Sequence, residues 1–560
     1  MKRNRLISTL LLGTLAAPVP QAAAQQRVVT DEHVQELIRA AAERVGAQTG
    51  TVTSRPAAPG AAAGRPTTAL TLDDAVKLAL ERNLDIAVQR LNPATFDFSI
   101  ANLQATFRPS LTSTVSHLSN NNPSTQTISG AAAGTGIAQG TTNYNGGITQ
   151  NIRWGGGSLS VALNNNKQTT TSLTALFNPV FNTNWSAQYT QPLLRNFKID
   201  NTRQQLAITR LNQDISEIQL QASIINIVSN VRNAYWDFVF ATQAVDVARR
   251  SVELAERLVA DNQTRVEIGT MAPIDVVQAQ SQAATQRQNL AVAEGTRRTN
   301  ELALKRLIVS GTEDPNWSAD LVPSDRPEFV PQPIDVTAAV KRALENRTDL
   351  QQARKNLQVN DTTLKFLHNQ TLPQADIVAR YGLVGQGGTQ YLTSGTGINR
   401  VVTGEIPGGY GDALSSLLGR SFPTWNLQLN VTYPIGQSSA DASVARARVQ
   451  QNQVAAQLKQ IELQIATDVT NAATQVQNNI ERVEAAQAAR EFAQRTLEAE
   501  QSKFEVGMST NYFVVQAQRD LANAQNNELQ SVLAYRKSLV ELERLQQTSL
   551  GTSNITILGR

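Results

Sequence analysis

The chain has 560 residues, a formal net charge of +4, 5% aromatic residues and no cysteine. It is too long for one ordinary hydrophobic core, and its small net charge does not indicate nucleic-acid binding. Without cysteine it has neither disulfides nor a lipidated cysteine anchor, so any membrane attachment must come from the fold itself.

The first segment has the features of a secretory signal peptide. Lys2, Arg3 and Arg5 precede an apolar run over residues 6–17, and three alanines at 22–24 resemble a signal-peptidase site. The run is shorter than the about 18 to 20 apolar residues that span a bilayer. We therefore expect residues 1–24 to be removed on export, which lowers the formal charge from +4 to +1. A signal anchor is the alternative.

Residues 25–69 are predicted to be a flexible leader. They hold one short helix candidate, 31–45, followed by a stretch rich in Ala, Pro, Gly and Thr. Order is predicted to begin at Thr71, whose hydroxyl can cap a helix while Asp74 completes a capping-box pattern.

The chain contains the same pattern twice. AVKLALERNLD from Ala75 matches AVKRALENRTD from Ala339 at seven positions, and the same offset of 264 carries Pro109 onto Pro373. EIGTMAPIDVVQAQ from Glu267 then matches EVGMSTNYFVVQAQ at an offset of 238. The ordered matches predict two repeats, 70–311 and 335–550, each reading helix, strand pair, long helix, turn and helix.

Strands are predicted at about 105–192 in the first repeat and about 373–434 in the second. The composition there shifts to Thr, Ser, Asn and Gly with alternating apolar residues, as at Leu111 and Val115. The turn at 155–157 leaves open whether the first repeat has a hairpin beyond the basic pair. Tyr381 and Trp425 suit a membrane interface, although ordinary sheet packing explains either one equally well.

The helix after the first strands is predicted to be long and to pack as a coiled coil. Apolar residues recur at spacings of three and four from Ile224 to Val259. The seam consists of Ile224, Ile227, Val231, Ala234, Phe238, Ala241, Val245, Ala248, Val252, Ala255 and Val259. A helix from about Thr202 to Gln263 would be roughly 90 Å long, and no compact core needs such a length.

A proline-rich linker, 312–334, separates the repeats, and residues 551–560 form a predicted C-terminal tail. The sequence has no GxxxxGK[ST], HExxH or GxSxG motif, and its three histidines are scattered. We therefore predict no enzyme activity and no catalytic, cofactor-binding or metal site. A periplasmic coiled-coil scaffold or adaptor without a membrane domain is the main rival interpretation, and an exported hydrolase with an unusual site is a weaker one.

With the repeat, the proline-bounded strands and the two glycine turns established, the chain resembles the TolC-like outer membrane factor family from about Leu70 to Leu550. The most specific pieces are the two segments that start at Glu267 and Glu505. The resemblance implies a mainly α fold with membrane β structure, in which long coiled-coil helices form a periplasmic α-barrel. It also implies a homotrimer with a shared transmembrane β-barrel of twelve strands, four from each chain.

The function that the resemblance implies is that of an outer-membrane channel in a tripartite efflux pump or type I secretion system. The helical hairpin tips, near 264–275 and 503–513, would be the periplasmic end that docks an adaptor protein. The docking residues carried over are Gly269, Thr270, Met271, Gly507, Met508 and Ser509. Asp275 matches the family's aspartate at the periplasmic gate, whereas the second repeat has Phe513 at the equivalent position.

Overall fold

A computed structural model describes residues 66–123, 136–172, 174–325, 329–395, 401–436 and 438–548. The predicted signal peptide, most of the predicted leader with its helix candidate, and the predicted C-terminal tail lie outside these residues.

The chain alternates between helices and strands. The first repeat consists of β1 (Thr67–Leu70), α1 (Leu72–Arg82), α2 (Leu84–Ala105), β2 (Ser110–Pro123), β3 (Gly136–Asn151), β4 (Ser158–Thr170), β5 (Phe177–Pro192), α3 (Asn201–Glu267) and α4 (Pro273–Ile308). The linker contributes α5 (Pro315–Ser318) and β6 (Asp320–Pro323). The second repeat consists of α6 (Val336–Asn346), α7 (Thr348–Gln370), β7 (Gln374–Ser394), β8 (Val401–Ile406), α8 (Tyr410–Leu418), β9 (Pro423–Thr432), α9 (Ser439–Glu505) and α10 (Asn511–Gln546).

Equivalent helices of the two repeats have matching lengths. Helices α3 and α9 both have 67 residues, and α4 and α10 both have 36. A helix of 67 residues is about 100 Å long. The prediction of an unbroken helix from about Thr202 to Gln263 is confirmed. Most residues of the predicted seam are buried, and none is exposed.

The large sheet has the order β2-β3-β4-β5-β7. Two further strands share the free edge of β7: β9 pairs with its first half, Gln374 to Leu383, and β8 pairs with its last residues, Gln390 to Ser394. Six strands therefore cross the sheet, because β8 and β9 lie at different heights along one edge. The expectation of four strands per chain is wrong for this structure, since the hairpin that turns at 155–157 enters the sheet between β2 and β5.

A second, two-stranded sheet joins the start of the described chain to the linker. Strand β1 pairs in parallel with β6, from Thr67 opposite Asp320 to Leu70 opposite Pro323. Regular structure thus begins before Thr71, in the last residues of the predicted leader, because β6 supplies an edge for them. The predicted helix cap is confirmed, since the Thr71 hydroxyl accepts the Asp74 amide at 3.2 Å.

The main hydrophobic core lies at mid-length of the long helices. It gathers residues 224–240 of α3 and 465–483 of α9 with α1, α6 and the end of α4. One ion pair and a charge-assisted hydrogen bond attach the linker to this core. Glu301 binds Lys305 at 2.9 Å and also accepts the Leu321 amide, and Asp314 accepts the Arg82 guanidinium at 2.9 Å.

The buried Asp314 carboxylate gives a pH-dependent contribution to stability. Burial raises its pKa, but the backbone amides of Asn316 and Ser310 and the Arg82 guanidinium outweigh burial, and the pKa ends below its ordinary value. A lowered folded pKa means that the stabilisation is complete above the ordinary carboxyl pKa and is lost as pH falls through the folded value.

We expect Asp314→Asn to lower the free energy of unfolding by about 1–3 kcal/mol at pH 7, since it weakens a buried charge-assisted network. The difference from wild type should shrink as pH falls below about 4, where the Asp314 carboxyl begins to protonate in the unfolded chain, and should be lost once the folded carboxyl also protonates. The measurement is urea unfolding of the purified protein across pH. Asp246→Asn is the control, because its pair with Arg249 is exposed. Equal effects of the two substitutions would contradict the prediction.

Candidate functional site

The two helical hairpins reverse direction through turns of the same geometry. Gly269 and Gly507 follow the C-caps of α3 and α9 with φ angles of +79° and +78°. The Thr270 amide donates to the Arg265 carbonyl at 2.9 Å, and the Met508 amide donates to Lys503 at 2.8 Å. These are Schellman caps, in which a glycine takes the left-handed conformation that other residues adopt at a cost.

Exposed apolar side chains surround both turns. Met508 is 80% exposed, Val506 71% and Ile268 68%. We use the term tip patch for the exposed apolar residues of the two turns and of the helix starts that follow them. The tip patch consists of Ile268, Ile274, Val277, Val506, Met508, Tyr512 and Phe513. Water-exposed apolar residues in one place are typical of a surface that a partner covers.

Buried polar contacts hold the two hairpins together at the same end of the molecule. The Asn262 amide donates to the Asn511 side-chain oxygen at 2.9 Å, and Asn511 donates to the Asp275 carbonyl at 3.3 Å. The Arg265 guanidinium lies over the Phe504 ring, 4.6 Å from its centroid. Side chains of each hairpin therefore contact the other hairpin, and the two turns form one continuous surface.

The predicted docking residues have different surroundings. Gly269, Thr270, Gly507 and Met508 are exposed, whereas Met271 is half-buried and packs against the small apolar cluster of Leu258, Leu497, Phe504, Val514, Ala517 and Leu521. Ser509 is also half-buried, and its hydroxyl donates to Glu500 at 2.7 Å. The Lys503 ammonium and this hydroxyl lower the Glu500 pKa.

Asp275 lies in the first turn of α4, where a carboxylate is favoured by the exposed amides of the helix start. It is half-buried, and its carbonyl is tied to Asn511. Its counterpart Phe513 is exposed and contacts Tyr512, with 5.5 Å between the ring centroids. The two turns of a chain thus present an acidic residue in one copy and an aromatic pair in the other.

At the opposite end of the helices, the sheet is amphipathic. Residues paired across the strands share a face, and successive residues alternate between faces. We use the term apolar face for the side that carries Leu111 on β2, Ile148 on β3, Val161 on β4, Ala187 on β5 and Leu427 on β9, which the pairing registers connect. The same face carries Val115, Tyr144, Leu159, Leu163, Phe181, Trp185, Tyr189, Ile377, Tyr381, Leu383, Trp425, Leu429 and Val431.

The other side, the polar face, carries mainly small or amide side chains. Its polar residues are Thr112, Thr114, Ser116, Asn143, Asn145, Ser160, Asn164, Asn166, Asn182, Asn184, Ser186, Gln188, Arg380, Asn426, Gln428 and Asn430, and it also carries Leu118, Val180, Val378 and Val384. A sheet with one apolar and one hydrophilic side separates an apolar medium from water.

Aromatic residues cluster on the apolar face. Trp185 contacts Tyr381 with ring centroids 6.3 Å apart, and Trp425 lies opposite Tyr381 in the β7–β9 pairing. Alternation in the sequence pointed to this face at Leu111 and Val115, and the registers extend it to all six strands. The sequence reasoning missed most of the tip patch. The apolar residues directly before Gly269 and Gly507 were the signal that could have found it.

Among the described residues, no helix combines the length and the apolar character needed to cross a membrane. Within the same ranges, no group of three or more His, Cys, Asp or Glu side chains could hold a metal ion.

Long paired helices with an exposed tip patch at one end and a two-faced sheet at the other define a subunit of the TolC-like class of channel. The family model described as outer membrane efflux protein matches residues 157–309 and 339–546. The chain belongs to the outer membrane efflux protein family. This is a family of outer-membrane channels and not of enzymes. No curated protein sequence matches the chain.

Solved structures with the same fold are distant in sequence. A membrane protein from Pseudomonas aeruginosa is 15% identical, with a TM-score of 0.61 over 89% of this chain and 99% of that chain. The CmeC outer membrane channel of Campylobacter jejuni is 14% identical, with a TM-score of 0.58 over 87% and 90%. The MtrE outer membrane channel of Neisseria gonorrhoeae, in its open state, is 16% identical, with a TM-score of 0.56 over 85% and 88%. These likenesses show the fold.

The turn glycines give a test of the tip geometry. We expect Gly507→Ala to destabilise the turn by about 1 kcal/mol, since its φ is positive although nothing lies within 4 Å of an added Cβ. Hydrogen exchange of the Met508 amide should then be faster. Gly295→Ala is the control, because Gly295 lies inside α4, also in open space, and an alanine there should stabilise the helix. Unchanged exchange at Met508 in G507A would contradict the assigned turn.

Proposed function

We propose that the chain is the outer-membrane channel subunit of a tripartite efflux pump or type I secretion system. It acts as a passive conduit: an inner-membrane pump supplies the energy, and cargo is handed over through a periplasmic adaptor. The sheet lies in the outer membrane, and the long helices extend through the periplasm to the tips.

The observation that carries the proposal is the apolar face of the sheet. Trp425 is 78% exposed and Leu427 68%, and the side chains at every second position of β9 are exposed apolar groups. A scaffold without a membrane domain would leave this face in water, at a large hydrophobic cost. The six strands that cross the sheet have 10 to 21 residues, with β9 the shortest and β7 the longest, and so meet the about 9–11 residues that cross a bilayer.

Several chains must share the membrane domain. One edge of the sheet is β2, and the other is formed by β8 and β9. Open strand edges are not tolerated in lipid, because their amide and carbonyl groups would lack hydrogen-bond partners. Joining the β2 edge of one chain to the β9 edge of the next satisfies both edges. We propose a homotrimer, as the family resemblance implies.

The tip patch, together with Gly269, Thr270, Met271, Gly507, Met508 and Ser509, is the proposed adaptor-docking surface. Its apolar side chains supply burial, and its glycine turns let a partner approach the backbone closely. Asp275 is the proposed gate residue. In a ring of subunits its carboxylate can take part in polar links that hold the periplasmic end closed.

Localisation and assembly are tested together. We expect the expressed protein in the outer-membrane fraction as a heat-resistant oligomer with the mass of a trimer by native mass spectrometry. Reconstitution in planar bilayers should give discrete conductance steps. A soluble monomer in the periplasmic fraction would support the scaffold interpretation instead.

Docking is tested by photocrosslinking in cells. We expect a photoreactive amino acid at Met508 to crosslink to a periplasmic adaptor protein, which mass spectrometry identifies. The same amino acid at Val292 should not, because Val292 is also solvent-exposed but lies in the middle of helix α4, away from the tips. Equal adaptor crosslinking at both positions, or at neither, would remove the tip patch as the docking surface.

The gate is tested by conductance. We expect Asp275→Ala to raise single-channel conductance in planar bilayers, since it removes the carboxylate that would link neighbouring subunits. Asp261→Ala is the control, because Asp261 is an exposed carboxylate near the same tip. Unchanged conductance in D275A would remove Asp275 from the gate.

A further inference from the structure

We propose that the β3–β4 hairpin is part of the membrane wall, so that a trimer closes an eighteen-stranded barrel. Six strands per chain in three copies give eighteen, in place of the twelve that the family resemblance implies. The inference rests on the proposed function, because it concerns the barrel of that trimer. As a consequence, the lumen of the barrel is wide, and the helical tips select cargo by size.

The hairpin is inserted within the sheet and does not lie upon it. Strand β3 pairs with β2 without interruption from Gly136 opposite Pro123 to Thr149 opposite Ser110. Strand β4 pairs with β5 from Ser158 opposite Thr190 to Gln168 opposite Val180. Strands β2 and β5 therefore do not pair with each other, and the wall between them consists of the hairpin.

In the half nearest its turn, the hairpin has the same two faces as its neighbours; further along β4, Asn165 and Lys167 lie on the apolar face. Ile148 and Tyr144 of β3 and Leu159 and Leu163 of β4 lie on the apolar face. The polar face of the hairpin carries Asn143, Asn145, Ser160, Asn164 and Asn166. With 16 and 13 residues, both strands are long enough to cross a bilayer. A flap outside the membrane would need no such alternation.

The turn of the hairpin, at 155–157, is attached to the end of β5 and the segment that follows it. The Gly155 carbonyl accepts a hydrogen bond from the side-chain amide of Gln191 at 2.8 Å. The ring centroids of Trp154 and Phe197 lie 5.9 Å apart. Gly155 and Gly156 have φ angles of +66° and +68°, and a Cβ at Gly156 would meet the Asn196 carbonyl at 2.5 Å. The hairpin therefore extends as far as the segment that leads into α3.

Helix α8 does not occupy the polar side. The Tyr410 ring contacts Tyr144, 5.8 Å between centroids, and Phe181, both on the apolar face. The α8 backbone lies so close to the sheet that a Cβ at Gly385 or Gly387 would collide with it. This packing on the outer side leaves the polar face, with its small side chains, to line the lumen.

The added strands change the width of the barrel. With strands about 4.8 Å apart and tilted by about 40°, the backbone diameter is roughly 24 Å for twelve strands and roughly 36 Å for eighteen. The cross-section of the lumen is then about twice as large. Barrels of 16–18 strands leave a water-filled channel.

The test uses single cysteines, since the natural chain has none. An environment-sensitive fluorophore is attached in turn at Leu159, Ser160, Leu163 and Asn164 of β4, in the trimer reconstituted into vesicles with brominated lipid. We expect brominated lipid to quench the fluorophore strongly at Leu159 and Leu163, which face lipid, and only weakly at Ser160 and Asn164, which face the lumen. Leu427 and Gln428 of β9 are the reference pair.

Quenching that alternates along both β4 and β9 supports the proposal. Alternation at β9 without alternation at β4 would overturn it, because the sheet would then be in the membrane without the hairpin in its wall. Absence of alternation at β9 as well would instead contradict the proposed function. Cryo-electron microscopy of the trimer in nanodiscs gives the strand count directly, and twelve strands would also overturn the inference.

Discussion

The structure depends on one hydrophobic cluster at the middle of the long helices. Val228, Val231 and Phe238 of α3 are buried there with Ile465 and Val476 of α9. Helices α1 and α6 pack onto this level through fully buried alanines, Ala75 and Ala79 in one repeat and Ala339 and Ala343 in the other. Alanine lets the short helices approach closely, and the equivalent use in both repeats gives the cluster an internal symmetry.

A rigid middle leaves the two ends of the helices to be completed by other molecules. In a single chain, the tip patch and the parts of the apolar face on β2 and β9 are exposed, although each has the composition of a buried surface. The polar contacts at the tips, such as Asn262 with Asn511, hold the hairpins to each other. Single-chain stability therefore comes from the middle, and the ends are ordered for assembly.

The sequence predicted much of this arrangement because local signals and the repeat agree. The cap at Thr71, the seam from Ile224 and the glycine turns at Gly269 and Gly507 each depend on residues close in sequence. The strand count was underestimated, because an offset difference records only net length. The first repeat gained β3 and β4, while the second gained β8 and α8, and the two additions partly cancel.

The contacts between distant segments were beyond the sequence patterns. Nothing local indicates that Thr67 pairs with Asp320, or that Asp325 accepts the Tyr235 hydroxyl at 2.7 Å. The function of the tips was accessible only through resemblance, because the apolar side chains around Gly507 also suit an ordinary helix turn. Docking and gating at the tips therefore stay predictions.

The inserted hairpin obeys a geometric constraint set by the helices. Helix α2 leads into β2 and β5 leads into α3, so the chain must leave and return to the same end of the sheet. It can do so only with an even number of strands. Because side chains alternate with period two, a hairpin in register also keeps every neighbour on its own face. Ile148 of β3 and Val161 of β4, for example, lie opposite each other, and both are on the apolar face. A membrane wall between fixed helices can thus widen in steps of two strands while the helical part, with its equal 67-residue helices, stays the same.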